Sequence, residues 1–535
     1  MAQQKKKILS GSWAGTLLFP ALLLFLTFTL QVVPAAAAPA ETAVSANRCS
    51  IPAEIETGIG TLRFAAGRPD AASTQKLYDQ LNLNRATEVF LNNLPAVSTE
   101  AIRRALIRLG ATRAHQVIIT EELANASVEW LTANTETVYA MAFLDLKRDG
   151  ATVVEIPPGC GPGLLDDAWM RWVIDFGPIG LDRGRGGTYL ILPPDYKGDL
   201  APAPGGTKVT IKIAGREKEV FAVKSPSFRN WLGLRGFLVK SRPEAAVRLF
   251  KQGLKIYPLK TAGQPPAMQF IDFSRQPSNT VFPADAGYFS MLNEVIQYEP
   301  VNVIDPETRG RIAAIGIEKG TPFQADESRR KLYTEAAKLG DATGRALFYA
   351  PRNPQAYLYK DRQWFTVFLG QNYNWLKDKG RGGRNLDARI LYFYCATANT
   401  PAMVLKFVGK GSQYALSARD ARGRYLDGGK NYRLHIPPQA PVTHFWSIVL
   451  YDSQNRCLLN NGQDFPSKSS DRDPLLKNGD GSIDLYFGPK PPAGKKANWI
   501  KTNSGQGWFS VLRLYGPLEP WFDKSWKPGD FEQLQ

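Results

Sequence analysis

Residues 431–516 contain NYRLHIPP (431–438), HFWSIVLYDSQNRCLL (444–459), GSIDLYFG (481–488) and GWFSVLRLYG (507–516). β-Branched and aromatic residues fill these runs, and Pro, Asn, Asp and Gly divide them. That is the make-up of short sandwich strands and not of amphipathic helices. In the second run His444, Trp446 and Ile448 alternate with Phe445, Ser447 and Val449, a period of two in which Trp446 reads as a core anchor.

The same pattern occurs earlier, in EWLTANTETVYAMAFLDL (129–146), ATVVEIPPG (151–159), AWMRWVIDFG (168–177) and TYLILPP (188–194). Further strands are expected at Lys208–Ile213, Glu219–Val223 and Phe237–Val239, with a helix at Arg242–Lys251. The fold class is therefore mainly β: two β-sandwich, jelly-roll-like domains joined by a helical linking region, with short N-terminal helices. The expected division is a signal peptide at 1–40, an irregular tether at 41–73, and N-terminal helices with the first β domain at 74–258. A linking region follows at 259–385, and the second β domain occupies 386–535. Short helices are expected at Lys76–Ala86, Glu88–Leu94 and Thr99–Leu109, and a longer one at Ala325–Leu339 whose early acids and late lysine suit the helix dipole.

A chain of 535 residues, 44% of them hydrophobic, exceeds one ordinary core and has the means to bury several. Lys5, Lys6 and Lys7 precede an apolar run from Leu17 to Val33 and the small residues Ala35–Ala38 and Ala40. This basic, apolar, small order is that of a secretory signal, with cleavage expected after Ala40 and the product periplasmic or secreted; the alternative is a retained membrane anchor, since an apolar stretch of ~17 residues can just span a bilayer. The net charge of +17 attracts anionic partners, but Lys and Arg are scattered among acids, so nucleic acid is excluded as the main partner. No stable membrane span is expected once the signal is removed. The β-rich surface leaves room for homo-oligomers.

Cys49, Cys160, Cys395 and Cys457 are far apart and form no metal-ligand spacing; export would permit up to two disulfides, with Cys395–Cys457 the favoured pair. The three histidines, His115, His435 and His444, do not supply a catalytic zinc set, although the last two are placed to meet on adjacent strands. No metal or cofactor is expected. Gly180–Gly187 (GLDRGRGG) reads as a hairpin tip more than as a phosphate loop. No nucleophile elbow, metalloprotease helix or Walker loop is present, and no residue is assigned a catalytic role. Ser467 and Lys468, in a loop rich in Ser, Lys, Asp and Arg, are the weak case for a hydrolase.

Asn134, Glu136, Tyr139, Trp169, Arg171 and Asp175 fall on neighbouring strands. Together they offer aromatic faces, a forked cation and carboxylate acceptors, the means of holding a small polar or anionic molecule or a glycan. Glu136, Tyr139 and Arg171 are expected to line one cavity. The competing reading makes Arg171–Asp175 a structural ion pair and the whole chain a structural or self-associating envelope protein.

The chain also resembles the exported proteins that pair an N-terminal domain of unknown function 1254 with a C-terminal domain of unknown function 1214. In the first half the resemblance rests on LNLNRATEVFLNNLPAVS (81–98), NTETVYAMAFLDL (134–146) and GGTYLILPPDYKG (186–198). In the second it rests on DRQWFTVFLGQNYNWL (361–376), RNLDARILYFYCATANTPAMV (384–404), FWSIVLYD (445–452) and GWFSVLRLYGPLEPWFDKSWKPG (507–529). It implies two sandwich domains in that order and brings no established reaction. Many members carry Asp where this chain has Glu136, which lengthens the reach of that carboxylate by one methylene.

Overall fold

The structure is a computed structural model that describes residues 51–535. The expected signal segment and Cys49 lie outside the described residues. Residues 51–70 form a unit of their own in which Glu54–Thr57, Gly60–Ala65 and Arg68–Pro69 make a three-stranded antiparallel meander, where an irregular tether was expected. The turns that the sequence places at Thr57–Gly60 and Ala65–Arg68 are tight enough for adjacent strands to pair. Ala71–Gln535 is the second, larger unit.

In that unit the first β domain packs a five-stranded sheet on a six-stranded one. The five run in the order Thr207–Ile213, Arg216–Lys224, Gly187–Leu192, Thr152–Ile156, Lys255–Pro258. The six run Gln269–Asp272, Gln116–Ile119, Thr137–Asp145, Arg229–Phe237, Gly163–Asp167, Trp172–Phe176. The second β domain packs two four-stranded sheets: Ser412–Ser417, Trp508–Pro517, Val442–Asp452, Ser467–Ser469 in one, and Trp499–Lys501, Ile483–Gly488, Tyr432–Ile436, Phe531–Gln533 in the other.

Period-two alternation decides what each strand shows to which side. Along Thr137–Asp145, Val138, Ala140, Ala142 and Leu144 enter the core of the first domain, and Leu232 and Leu234 join them from Arg229–Phe237. Their neighbours Met141 and Trp231 belong to a different core, with Tyr139 and Phe143 packed against it. The second domain divides in the same way. Leu512, Leu514, Ile448 and Leu450 fill its own sandwich, while Val511, Phe509, Val449 and Tyr451 turn to that other core. One sheet face from each domain thus meets the helices in a shared central core, which joins the two domains.

The helical layer differs from expectation in four places. Ala71–Asn92 is one helix of 22 residues, not two short ones. The next, Leu94–Arg108, carries Pro95 in its first turn, where a missing N–H costs nothing. Glu327–Tyr349 begins where its acids suggested, capped by Asp326, whose side chain accepts from Arg329 N at 2.8 Å, but continues past Gly340 and Gly344. A Cβ on these glycines would lie 2.3 Å from the Phe90 ring and 2.4 Å from the Tyr394 ring, so close packing and not helix termination explains them. Finally, Leu386–Cys395, expected to begin the second domain's strands, is a helix capped by Asn385, which accepts from Ala388 N at 3.2 Å. Its aromatic run is buried nearly all round, as a helix inside a core is, and the central core supplies the cover.

Cys160, Cys395 and Cys457 are free and buried. The expected Cys395–Cys457 bridge is not formed: the first residue ends a helix, and the second follows the turn after Val442–Asp452. The histidine pair is also undone, because Tyr432–Ile436 and Val442–Asp452 belong to different sheets. His435 Nδ1 meets Asp484 at 2.8 Å, and His444 packs 5.2 Å from the Phe237 ring.

Candidate functional site

The six expected site residues separate into three environments. Asn134 Oδ1 accepts from Glu136 N, Thr137 N and Thr137 Oγ1, all at 3.0 Å, so it shapes the turn that enters Thr137–Asp145. Glu136 is fully buried and held by Thr135 Oγ1 at 2.5 Å. Asp175 is also buried, accepting from Thr400 Oγ1. Tyr139 lines a cavity between the two β domains. Trp169 and Arg171 line a separate, larger cleft.

Glu136, Tyr139 and Arg171 therefore do not share one cavity. The reason is local. Trp169–Phe176 alternates as a strand only from Trp172; before it the chain turns tightly, with Met170 N donating to Asp167 O and Met170 at φ 49°. A register irregularity at Leu165/Asp166 shifts the pairing further. This turn gives Arg171 a different carboxylate: its Nη2 pairs with Asp167 Oδ2 at 2.6 Å and its Nη1 donates to Val303 O at 2.8 Å, so the expected Arg171–Asp175 pair is replaced.

The cleft that Trp169 and Arg171 enter has a volume of about 370 Å³. The Ala71–Asn92 and Leu94–Arg108 junction, the Asp167–Arg171 turn, the start of the Pro306–Ala313 helix and the first turns of Leu386–Cys395 bound it. Four arginines line it: Arg171, Arg311, Arg384 and Arg389. Arg311 is paired with Glu307 at 3.4 Å. Arg384 and Arg389 have no carboxylate within ion-pair distance among the described residues. Arg384 Nη1 donates to Asn374 O at 2.6 Å, and Arg389 Nη2 to Asn92 Oδ1 at 2.6 Å.

Charge on this wall is therefore only partly balanced. Burial, followed by repulsion from Arg384, pulls the Arg389 guanidinium down to about 10. Burial and the Arg171 charge likewise lower Arg384. Like charges brought together and partly withdrawn from water disfavour the charged form, and an anion placed among them would reverse that cost.

Three other observations concern hydrogen bonding. Arg389 Nε, Trp375 Nε1 and Asn399 Oδ1, all on residues that line the cleft, are buried without a partner among the described residues. Native proteins leave few such atoms, and those that persist commonly serve a ligand or water. Tyr373, half-buried, Trp375 and Phe393 add aromatic surface, and Asn92, Asn93 and Asn374 add amides. Of the residues lining this cleft, Trp169 and Arg171 were expected from the sequence, and Arg384, Arg389 and Trp375 were not. The only local signal was the basic GRGGR run (380–384) beside the aromatic QNYNWL (371–376).

Two other sequence candidates are structural. Gly180–Gly187 crosses between the two sheets of the first domain and is not a hairpin tip, since Trp172–Phe176 and Gly187–Leu192 lie in different sheets. Buried Asp182 holds that segment, accepting from Gly177 N at 2.8 Å and Tyr189 Oη at 2.7 Å, while Arg183 and Arg185 are exposed. Ser467 Oγ faces Thr135 and Arg472, whereas Lys468 Nζ reaches Asp473 at 3.6 Å, so no Ser/Lys pair forms. Among the described residues no group of three His, Cys, Asp or Glu side chains is placed to hold a metal ion.

Fold and site together define a protein of two packed-sheet domains with a cationic, aromatic cleft beside the first. Residues 115–258 match the family model described as a protein of unknown function (DUF1254), and residues 411–519 the one described as a protein of unknown function (DUF1214). The chain thus carries both domains, in that order from the N-terminus. Comparison with curated proteins returned no match. Among solved structures, the VPA0106 protein from Vibrio parahaemolyticus is similar at 16% identity and a TM-score of 0.50, covering 85% of this chain and 100% of that one. An uncharacterised protein from Burkholderia cenocepacia gives 13% identity and a TM-score of 0.38, covering 87% and 97%. The first likeness is one of fold alone.

Proposed function

We propose that this is an exported binding protein whose cleft takes a small anionic molecule, with an acidic sugar as the best-suited class. The observation that carries the reading is the Arg384–Arg389 wall: two cations without a carboxylate at ion-pair distance among the described residues, each lowered by burial and then by the charge beside it. A carboxylate would neutralise that wall with forked, charge-assisted hydrogen bonds. The amides of Asn92, Asn93 and Asn374 suit hydroxyl groups, and the aromatic side chains suit the apolar face of a sugar ring. The volume lies within the range of small-molecule sites. A purely structural envelope protein would have no use for unneutralised guanidiniums beside buried, unpartnered polar atoms.

Export is proposed from the N-terminal signal pattern, and intact mass of protein from the envelope fraction tests it: a mature chain starting near Glu41 supports it. No helix among the described residues is long and apolar enough to cross a membrane.

Thermal shift and calorimetry with glucuronate, trigalacturonate, citrate and inorganic phosphate, with glucose as the neutral control, test the binding. At least one of the acids should bind and glucose should not. Arg389→Met should weaken that binding by about tenfold or more. Absence of binding by every acid, or equal binding of glucose, would overturn the proposal.

A further inference from the structure

The central core holds a second feature that the cleft does not account for. Between the outer sheet faces of the two domains is a cavity of about 80 Å³, with a smaller one beside it that shares Tyr139, Trp231, Arg235 and Met403 in its lining. One water needs roughly 10–15 Å³ by this measure, so the space exceeds a single solvent site. Strand alternation delivers one arginine from each domain to it: Arg235 from Arg229–Phe237, and Arg513 from Trp508–Pro517.

Neither arginine has a carboxylate within ion-pair distance among the described residues. Arg235 Nη1 reaches Tyr414 Oη at 3.4 Å, its closest hydrogen-bond partner. Arg513 Nη2 donates to Tyr451 Oη at 2.7 Å and to Thr132 O, but its Nε is buried without a partner. Trp231 Nε1 is likewise buried and unpartnered. Glu136, the carboxylate near Tyr451 and Tyr515, is already engaged by Thr135. The polar groups left over at this cavity are thus chiefly donors: two guanidiniums and an indole N–H. Around them the lining is apolar, with Met141, Val367, Phe368, Met403, Leu416 and Val511.

We infer that this interdomain cavity is a second ligand site, built to receive a small monocarboxylate with an apolar body, the acid between Arg235 and Arg513 and the body against Phe368 and Met403. Only an acceptor-rich group uses that set of donors, and two cations in a low-dielectric seam favour an anion. The apolar lining selects a monocarboxylate over phosphate, since phosphate would leave charged oxygens against methyl and aryl groups. Tyr414, whose Oη lies 2.5 Å from Ser412 Oγ, stands beside the acid position as an adjustable donor or acceptor. Burial raises its phenol, but the combined pull of Arg235 and Arg513 takes it below the ordinary range. This site is independent of the cleft.

Benzoate is the probe, with benzyl alcohol and inorganic phosphate as controls, read by calorimetry and by the fluorescence of a chain whose Trp130 and Trp231 line the cavity. Benzoate should bind and change tryptophan emission, the alcohol and phosphate should bind at least about tenfold more weakly, and Arg235→Met should weaken benzoate by about tenfold or more. Met403→Trp, which fills the space and leaves the charges intact, should abolish benzoate binding in a chain that still unfolds cooperatively. Arg389→Met should leave it unchanged. Absence of benzoate binding, alcohol binding as tight as the acid's, full affinity in Met403→Trp, or loss in Arg389→Met would each overturn the inference.

Discussion

Thr135 Oγ1 lies 2.7 Å from Ser467 Oγ, a contact between residues 332 apart in the chain that ties the first β domain to the second. Arg472 closes it from the side, donating to Thr135 O at 3.0 Å and to Ser467 Oγ at 3.0 Å, and pairing with Asp473 at 2.8 Å. Both hydroxyls are buried, so this network replaces the water that an open seam would admit.

Arg472→Met should therefore destabilise the chain by about 1–2 kcal/mol, because it removes the donors to Thr135 O and Ser467 Oγ and one of the two cations at Asp473, which keeps Lys468 and Ser469 N. Ser467→Ala should cost about 1 kcal/mol. Urea unfolding monitored by fluorescence reads both. A cost for Arg472→Met within about 0.5 kcal/mol of zero would mean that the seam is held by apolar contacts alone.

In the cleft the expected effects on stability and binding diverge. Arg384→Ala relieves repulsion on Arg171 and Arg389 and loses one hydrogen bond at a position that is only partly withdrawn from water, so its stability should stay within about 1 kcal/mol of the parent. Acid binding should fall by about tenfold or more. Urea unfolding and calorimetry on the same preparation measure the two. A loss of stability above about 2 kcal/mol with binding intact would mark Arg384 as structural.

Burial raises Asp175 to about 7, against the hydrogen bond from Thr400 that lowers it. Glu299, buried while accepting from Phe228 N at 2.6 Å, is also raised to about 7. Between roughly pH 4 and 7 the folded chain keeps protons that the unfolded chain has lost, so their contribution is present below the unfolded values and is lost as pH rises to 7. Stability should fall across that window by up to about 1.4 kcal/mol per pH unit for each group. Asp175→Asn should flatten the profile, and an unaltered slope in that variant would show the group ionised throughout.

The thiols of Cys160 and Cys395 are pushed up to about 12 by burial, and that of Cys457 is raised further for the same reason. In a Cys49→Ser chain, all three should react with a disulfide reagent only after denaturation, and reductant should leave the melting temperature unchanged. Reagent uptake by the native protein would contradict their burial.

The β-rich class, the order of the two domains and most strand positions were legible in the sequence, because a period of two and turn-forming breaks are local properties. Trp169 and Arg171, both named from the sequence, line one cleft. The helical state of Leu386–Cys395 was not legible, since β-branched and aromatic residues favour strands until a surrounding core buries a helix on every side. Tertiary structure alone also decided the sites. Met170 turns the chain so that Arg171 meets Asp167 and not Asp175, and the packing of distant segments sets Arg389 beside Arg384 and Arg171. Arg235 and Arg513 meet only because two strands from different domains each turn alternate side chains into one seam. Local sequence determines which face a side chain takes, and long-range packing determines what that face confronts.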